Sequence, residues 1–238
     1  MIPKLIHLCW FSNDPFPVEI KICLDSWKRI LPDFKIRRWT YEDARAIGCR
    51  YINEALDARK WAFAADAVRF YAVYKEGGVY MDSDILIKKR FDRLIPDKGF
   101  ATFHEDFGYK LQLQAAFFMG EKGNAFCRDA FEYYATRSFV KPDGAYDMEI
   151  SPVVMLGVAR KYGYEPVGTE QHLAGDIIIY PGYYVTPRKK DVTVHPDEFA
   201  LHTIYGSWRT RKLGRRIELF VKHVFTVIRY YGCKVLRF

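Results

Sequence analysis

The nine residues 79–87, VYMDSDILI, decide the fold, because two aspartates stand between two short apolar runs. Each run has the length and composition of a strand. Side chains two residues apart share one face of a strand, so Asp82 and Asp84 are expected to lie together. Two like charges repel, and a hard divalent cation such as Mn²⁺ or Mg²⁺ relieves that repulsion because it prefers carboxylate oxygens. A solvated turn is the alternative, since a bare Asp-x-Asp is common.

The regions on both sides of this stretch predict alternating strands and helices. Upstream, a helix is expected from about Asp57 to Lys75, ended by two glycines at positions 77 and 78. Near the start, the apolar patterns predict a strand over 5–10, a helix over 18–31 and a strand over 34–39. Strand, helix and strand in this order favour an α/β domain with a mainly parallel sheet.

Composition places the chain among globular proteins with one main core. It has 238 residues, half of them apolar and 17% aromatic. No apolar run reaches the roughly 18 residues that a spanning helix needs, and we expect no signal peptide. The five scattered cysteines lack metal-site spacing, which favours free thiols in a reducing compartment.

The excess positive charge lies at one end of the chain. The net charge is +8, and residues 206–238 contain nine basic residues against one acidic residue, so the remainder is neutral. On a helix, the apolar residues of this segment fall on one stripe and most of the basic residues on the opposite arc. The stripe consists of Leu213, Ile217, Phe220, Val224, Ile228, Tyr231 and Val235. The pattern is typical of a helix that lies on an anionic membrane surface, and it does not favour nucleic acid. A helix packed on the body with a solvated basic face is the alternative.

The twenty residues 65–84, ADAVRFYAVYKEGGVYMDSD, closely resemble the core of glycosyltransferase family 32. This D-x-D family includes yeast-type initiating mannosyltransferases and bacterial capsule enzymes, and it is more distantly similar to the clostridial glucosylating toxins. Residues 2–11, the Ser26-Trp27 pair, residues 31–34 and the blocks at 200–202 and 206–208 also resemble the family pattern. The resemblance therefore extends from the start of the chain to about residue 208.

The resemblance implies a GT-A fold, which is a Rossmann-like α/β fold for nucleotide-diphospho-sugars. It implies a catalytic domain over 1–208, and residues 209–238 would then be the amphipathic tail. It also implies a nucleotide-sugar donor, Mn²⁺ or Mg²⁺, and retention of the anomeric configuration. By position, Asp82 and Asp84 would hold the metal and diphosphate, with His202 as a third ligand. A structural role for His202 is the alternative.

The same resemblance implies a donor site built from several segments. Asp66 and Arg69 match positions that contact the donor sugar, and their spacing of three puts them on one helix face. A surface ion pair is the alternative for them. Trp10, at the end of the first strand, would stack on the nucleotide base, or it would be a core tryptophan. Tyr80 would line the site, and Ser207 and Trp208 would cover the diphosphate and base.

No residue is identified as the catalytic base, and Asp66, Arg69 and Gln114 are the candidates for the reacting centre. Gln114 stands where the family often has Asn. Glu149 is a further candidate, although the family usually has a Gly-Pro pair where Ser151-Pro152 follows it. A front-face mechanism, in which the departing diphosphate accepts the proton, is commonly proposed for such enzymes.

These observations lead to one main hypothesis and two alternatives. The main hypothesis is a retaining hexosyltransferase that uses a UDP-sugar, with galactose favoured. Its acceptor is a polyprenyl-diphosphate-linked saccharide in bacterial capsular or surface polysaccharide synthesis, at the cytoplasmic face of the membrane. One alternative is an effector-like enzyme that glycosylates proteins, and the other is a lipid- or nucleic-acid-binding module that uses the basic tail.

Overall fold

The computed structural model describes residues 1–106, 108, 110–187, 195–203 and 213–235. A strand, a helix and a strand follow one another over residues 5–39, as the sequence predicts. The strands are β1 (Leu5–Cys9), β2 (Lys35–Trp39), β3 (Gly78–Met81), β4 (Ile85–Ile87), β5 (Phe100–Asp106), β6 (Leu111–Leu113), β7 (Phe117–Gly120), β8 (Gln171–Leu173), β9 (Ile177–Tyr180), β10 (Val185–Pro187) and β11 (Ala200–His202). The helices are α1 (Val18–Ile30), α2 (Tyr41–Ala46), α3 (Arg50–Asp57), α4 (Trp61–Glu76), α5 (Ala125–Ala135), α6 (Ser151–Lys161) and α7 (Leu213–Val235).

A central sheet of mixed strand direction organises the molecule. Its strands follow the order β2-β1-β3-β7-β5-β9-β8, and β6 pairs with β5 at one side. The first three strands are parallel, but β7 is antiparallel to both of its neighbours, and β8 is antiparallel to β9. The prediction of a mainly parallel sheet is therefore wrong for this half of the sheet. The chain returns from β5 through β6 to β7 without the helical crossover that a parallel pair requires.

A second sheet brings a late strand beside the aspartate pair. It has the order β10-β11-β4, with β11 antiparallel to β4. In this register His202 lies opposite Ile85, which directly follows Asp84. The fold thus places two segments that are distant in sequence at one point.

The helix before the aspartate pair begins later than the sequence predicts. Helix α3 ends at Asp57, and Arg59 takes a left-handed conformation with φ of 54° before α4 begins at Trp61. A helix cannot continue through such a residue. At its other end, Gly77 closes α4 with φ of 67°, as expected of a glycine there.

Apolar side chains pack on both faces of the central sheet. Phe117 and Phe118 are adjacent in β7 and point to opposite faces, each fully buried. Phe118 packs with Phe70 of α4, and Phe117 packs with Phe91. The alternation along β7 therefore supplies both layers of the core, and these layers hold β3 and α4 rigidly behind the aspartates.

Helix α7 lies along α1 and turns several apolar side chains outward. His223 Nδ1 lies 2.9 Å from Glu19 Oε1, and the Tyr230 hydroxyl donates to Asp25 Oδ2 at 2.6 Å. The outward-facing apolar side chains are Phe220, Val221, Val224, Phe225 and Ile228. Among the described residues, no helix has the length and apolar character needed to cross a membrane. The boundary at residue 208 between a catalytic domain and the tail stays a prediction.

Candidate active site

The connection between β3 and β4 is a tight turn held from three sides. The backbone N–H of Asp82 donates to Ala116 O at 2.9 Å. Thr203 donates twice to Asp84 O, from its backbone N–H at 3.1 Å and from its hydroxyl at 2.9 Å. The backbone of both aspartates is therefore fixed, one by the residue before β7 and the other by the residue after β11.

Helix α1 holds β4 from the other side through two polar side chains. The indole of Trp27 donates to Ile85 O at 2.7 Å, and the hydroxyl of Ser26 accepts from Ile87 N–H at 3.0 Å. Both side chains are buried. The Ser26-Trp27 pair, noted in the sequence for its resemblance to the family pattern, thus positions the strand that follows the aspartates.

Asp82, Asp84 and His202 form a cluster that could hold a metal ion. One ligand atom from each residue lies within 4.8 Å of the others. His202 Nε2 is 3.6 Å from Asp84 Oδ1, and both side chains are mostly buried. Two carboxylates and an imidazole suit Mn²⁺ and also Mg²⁺ through the oxygens. The residues predicted as metal ligands are therefore brought together, and their chemistry fits the ion.

The other imidazole nitrogen of His202 faces a buried carboxylate. Nδ1 lies 3.2 Å from Glu105 Oε1. Burial alone would lower the pKa of His202, but the hydrogen bond with Glu105 and the charge of Asp84 outweigh it and raise that pKa above 6.5. His202 is thus held from two sides by carboxylates.

Arg69 joins the aspartate cluster to helix α4. Its Nη2 atom lies 2.7 Å from Asp66 Oδ1 and 3.5 Å from Asp82 Oδ1, and its Nη1 donates to Ala115 O at 2.7 Å. Asp66 and Arg69 are only 7% and 5% exposed, so the alternative of a surface ion pair is wrong. Burial opposes the charge of Arg69, but Asp82, Tyr80 and Asp66 outweigh it and raise its pKa. The guanidinium is therefore a permanent positive charge beside the aspartates.

Asp66 also fastens the N-terminus of helix α6. Its Oδ1 accepts from the Ser151 hydroxyl at 2.7 Å, and its Oδ2 accepts from the Ser151 N–H at 3.3 Å. Burial raises the pKa of Asp66, while Arg69 and Ser151 act in the opposite direction. The carboxylate therefore has partners on α4 and α6, and it links these two helices at the site.

Tyr80 and Trp10, both predicted to face the donor, lie in different surroundings. Tyr80 is buried, and only its hydroxyl reaches the site, where it donates to Asp82 Oδ1 at 2.7 Å. Trp10 is half-buried at the end of β1, with its ring 4.7 Å from that of Phe16 and its indole donating to Asp14 O. A fully enclosed core tryptophan does not describe this position. Ser207 and Trp208 lie outside the described residues.

Gln114 and Glu149 also differ in their surroundings. The side chain of Gln114 is buried, and both ends of its amide have protein partners, Glu105 at 3.1 Å and the Ala116 N–H at 3.0 Å. Glu149 is exposed on the segment that leads into α6. Of the two, Gln114 is the one connected to the aspartate cluster, through Glu105 and His202.

Sequence reasoning missed three residues that shape the site: Glu105, Ser151 as the partner of Asp66, and Thr203. Glu105 follows the apolar part of β5, near the carboxyl end of that strand, where α/β sheets place polar site residues. Thr203 directly follows the predicted ligand His202. A polar residue at the end of a strand, or next to a predicted ligand, can be noticed in the sequence. The residues that these side chains contact lie far away in the sequence and cannot be identified from it.

The region that contains the aspartate pair matches known glycosyltransferases. The family model described as a glycosyltransferase sugar-binding region containing a DXD motif matches residues 17–101. Inositol phosphoceramide mannosyltransferase 3 of Schizosaccharomyces pombe is 31% identical over 101 residues, which are 40% of this chain and 27% of that protein. The chain thus matches about a quarter of the length of this curated relative.

Two solved structures share the fold at low sequence identity. The PaToxG glycosyltransferase has a TM-score of 0.53 and 17% identity, over 67% of this chain and 69% of its own. The apo-form glycosyltransferase GlyE of Streptococcus pneumoniae TIGR4 has a TM-score of 0.50 and 12% identity, over 97% of this chain and 64% of its own. Residues 17–101 therefore match the glycosyltransferase sugar-binding region containing a DXD motif, and the fold is the GT-A fold.

Proposed function

We propose that this chain is a metal-dependent glycosyltransferase that takes a sugar from a nucleotide-sugar donor. The observation that carries the proposal is the cluster of Asp82, Asp84 and His202 beside the buried guanidinium of Arg69. Carboxylates that hold a divalent cation, next to a fixed cation of the protein, form a surface suited to a diphosphate. The family match over residues 17–101 supports the same activity.

Each part of the site has a proposed task in this reaction. A bound Mn²⁺ or Mg²⁺ would neutralise the charge that develops on the departing diphosphate. Asp82, Asp84 and His202 would hold that ion. Arg69 keeps a positive charge next to Asp82, and Asp66 holds the guanidinium in place. A direct contact of Asp66 or Arg69 with the donor sugar remains part of the proposal.

For the donor and acceptor we propose a UDP-sugar, with galactose favoured, and a lipid-linked saccharide. The reaction would retain the anomeric configuration and serve bacterial surface or capsular polysaccharide synthesis. The name of the curated relative specifies an inositol phosphoceramide, a lipid, as the molecule that is mannosylated. This supports a lipid-borne acceptor for the proposed reaction.

We further propose that α7 rests on an anionic membrane surface, at the cytoplasmic face. Phe220, Phe225 and Ile228 are 67%, 69% and 63% exposed, and they point away from the contacts of α7 with α1. Residues 206–238 carry nine basic residues against one acidic residue. Exposed aromatic and aliphatic groups together with basic charge are the features that bind an amphipathic helix to anionic lipids.

A donor screen tests the transferase proposal. The protein is incubated with UDP- and GDP-sugars and Mn²⁺, and released nucleotide is measured with and without chelator. We expect release with one donor class and its loss in Asp82→Asn. Asp97→Asn, which changes an exposed carboxylate just before β5, at the end of the sheet opposite the aspartate pair, serves as the control. Full activity of Asp82→Asn would refute the metal role, and labelled protein in place of labelled lipid would favour the protein-glycosylating alternative.

Vesicle flotation tests the membrane proposal separately. We expect the protein to float with phosphatidylserine-containing vesicles and not with pure phosphatidylcholine, and to detach at high salt. Replacing Phe220 and Phe225 by serine should weaken binding more than tenfold, at about 1.5–3 kcal/mol for each buried aromatic side chain. Val167→Ser, at an exposed apolar position outside α7, should leave binding unchanged. Equal flotation of the double variant and the wild type would refute this surface as a membrane contact.

A further inference from the structure

A chain of hydrogen bonds leads from the backbone of the sheet to the imidazole of His202. The backbone N–H of Ala116 donates to Gln114 Oε1 at 3.0 Å. Gln114 Nε2 donates to Glu105 Oε1 at 3.1 Å, and the same carboxylate oxygen lies 3.2 Å from His202 Nδ1. The His202 ring is therefore connected to a fixed backbone donor through two side chains.

The direction of each hydrogen bond follows from the first one. A backbone N–H can only donate, so the amide oxygen of Gln114 must face Ala116 and its NH₂ group must face Glu105. Gln112 Nε2 donates to the other oxygen of Glu105 at 3.0 Å. Both oxygens of Glu105 thus act as acceptors, and a carboxylate has no hydrogen to donate. In the remaining contact, with Nδ1 of His202, the hydrogen is therefore on this nitrogen.

The opposite nitrogen then has a free lone pair on the side of the aspartates. In a neutral imidazole, a hydrogen on Nδ1 leaves Nε2 as the acceptor or metal-binding atom. Nε2 is the nitrogen that lies 3.6 Å from Asp84 Oδ1. The hydrogen-bond chain therefore selects the tautomer in which His202 presents a ligand atom to the cluster.

The carboxylate and amides of the hydrogen-bond chain are buried in or directly beside the β5–β6 pair. Glu105 and Gln112 are direct partners in the antiparallel register of these strands. Gln112, Gln114 and Glu105 all have buried side chains, away from competing water. A buried, fully paired network of this kind holds one arrangement, whereas a partly paired one is costly.

We propose that Glu105 and Gln114 are positioning residues, which fix His202 as the Nδ1–H tautomer and so prepare Nε2 for a divalent cation. This rests on the metal site of the proposed function. It also gives Gln114 a task different from contact with the donor sugar, since both ends of its amide face protein groups. Partners behind a ligating histidine typically change metal affinity by about 10- to 100-fold.

Metal binding without any donor tests the proposal first. Mn²⁺ is titrated into the full chain by calorimetry. For Glu105→Gln we expect a dissociation constant about 10- to 100-fold higher than that of the wild type. The dissociation constant of Gln114→Met should lie between those of the wild type and Glu105→Gln. Glu198→Gln is the matched control, because Glu198 is a buried carboxylate that pairs with Lys88 and Thr186 and with none of the three ligands. It should lose stability and keep Mn²⁺ affinity.

The tautomer itself is measured in the metal-free protein. The protein is labelled with ¹⁵N-histidine, and long-range ¹H–¹⁵N correlation spectra are recorded at a pH at which the imidazole is neutral. These spectra distinguish the Nδ1–H tautomer from the Nε2–H tautomer. The His202 signals are assigned by their absence in His202→Gln. We expect a pure Nδ1–H form in the wild type and a mixture in Glu105→Gln.

The outcomes separate this inference from the proposed function. An Nε2–H form in the wild type, or a Glu105→Gln variant with wild-type tautomer and wild-type Mn²⁺ affinity, would overturn the inference. A failure to find any donor would affect the proposed activity alone, because neither measurement uses a nucleotide-sugar. If Asp82→Asn binds Mn²⁺ as tightly as the wild type, the metal site is wrong, and the spectra still decide which tautomer Glu105 selects.

Discussion

The Nη2 atom of Arg69 lies 3.5 Å from Oδ1 of Asp82, and this contact connects helix α4 to the aspartate motif. The same nitrogen is 2.7 Å from Asp66. One buried guanidinium therefore stands between two carboxylates. Its removal would leave two negative charges near each other with little access to water, which is among the costly changes in a protein interior.

Arg69→Met should therefore destabilise the protein by about 3–5 kcal/mol, the usual cost of breaking a buried ion pair. Urea denaturation followed by circular dichroism measures it. Arg50→Met removes an exposed i,i+4 partner of Glu54 and should cost less than about 1 kcal/mol. Equal losses in the two variants would contradict a buried ion pair at Arg69.

Tyr80→Phe should weaken the site without harming the fold. It removes only the hydroxyl that donates to Asp82 at 2.7 Å, and it keeps the ring that stacks on Phe118. A hydrogen bond to a charged group contributes about 1.5–3 kcal/mol, so we expect transfer to slow on the order of tenfold to a hundredfold. Steady-state kinetics with the donor found in the screen measures this. Tyr162→Phe, which removes a hydroxyl that bonds to Asp129 away from the site, should leave the rate unchanged.

Gly78→Ala should disturb the pairing of β3 with β1. Gly78 has φ of 111°, and a Cβ there would lie 2.4 Å from Leu5 O. Backbone strain and overpacking each cost about 1–3 kcal/mol, so the loss should be about 2–6 kcal/mol. Gly157→Ala in helix α6 meets nothing within 4 Å and should stabilise the protein by about 0.5–1 kcal/mol. Thermal unfolding of both variants gives the comparison, and a neutral Gly78→Ala would contradict the register of this strand pair.

His7 should make stability depend on pH in a predictable direction. It is fully buried, with Nε2 2.8 Å from Gly77 O and Nδ1 accepting from the Trp39 indole at 3.1 Å. Burial lowers its pKa below 6.5, so the unfolded chain binds a proton more readily than the folded one. The contribution of neutral His7 is present above pH 6.5 and is lost as the pH falls through the lowered pKa.

A comparison of the wild type with His7→Gln measures this effect. Free energies of unfolding are determined by urea titration over a series of pH values. The wild type should lose more stability than the variant as the pH falls below 6.5. Only in the wild type does an imidazole that is buried in the folded state take up a proton when the chain unfolds. Parallel curves for the two proteins would show that His7 does not titrate differently in the folded state.

The sequence predicted the local elements of the site well, because their signals are short-range. Strands on both sides of Asp82 and Asp84 and the glycine end of α4 depend on neighbouring residues, and the structure has them. The left-handed Arg59, which divides α3 from α4, had no glycine or proline to signal it.

What the sequence could not predict depends on contacts between distant segments. The antiparallel direction of β7 follows from how the chain returns after β5, and no residue pattern within β7 indicates this direction. The hydrogen bond of Glu105 with His202 joins two strands of different sheets. Gln114 was a candidate for the reacting centre because it stands where the family often has Asn, and the sequence does not show that both ends of its amide meet protein groups.

The pairing of β11 with β4 also has a consequence for biosynthesis. Asp82 and Asp84 leave the ribosome long before His202, and the third proposed ligand arrives only when this late strand adds to the small sheet. Until then the nascent chain offers a cation two carboxylates and no imidazole, which is a weaker and less selective site. The order of synthesis would thus delay metal loading until nearly the whole catalytic scaffold has been made.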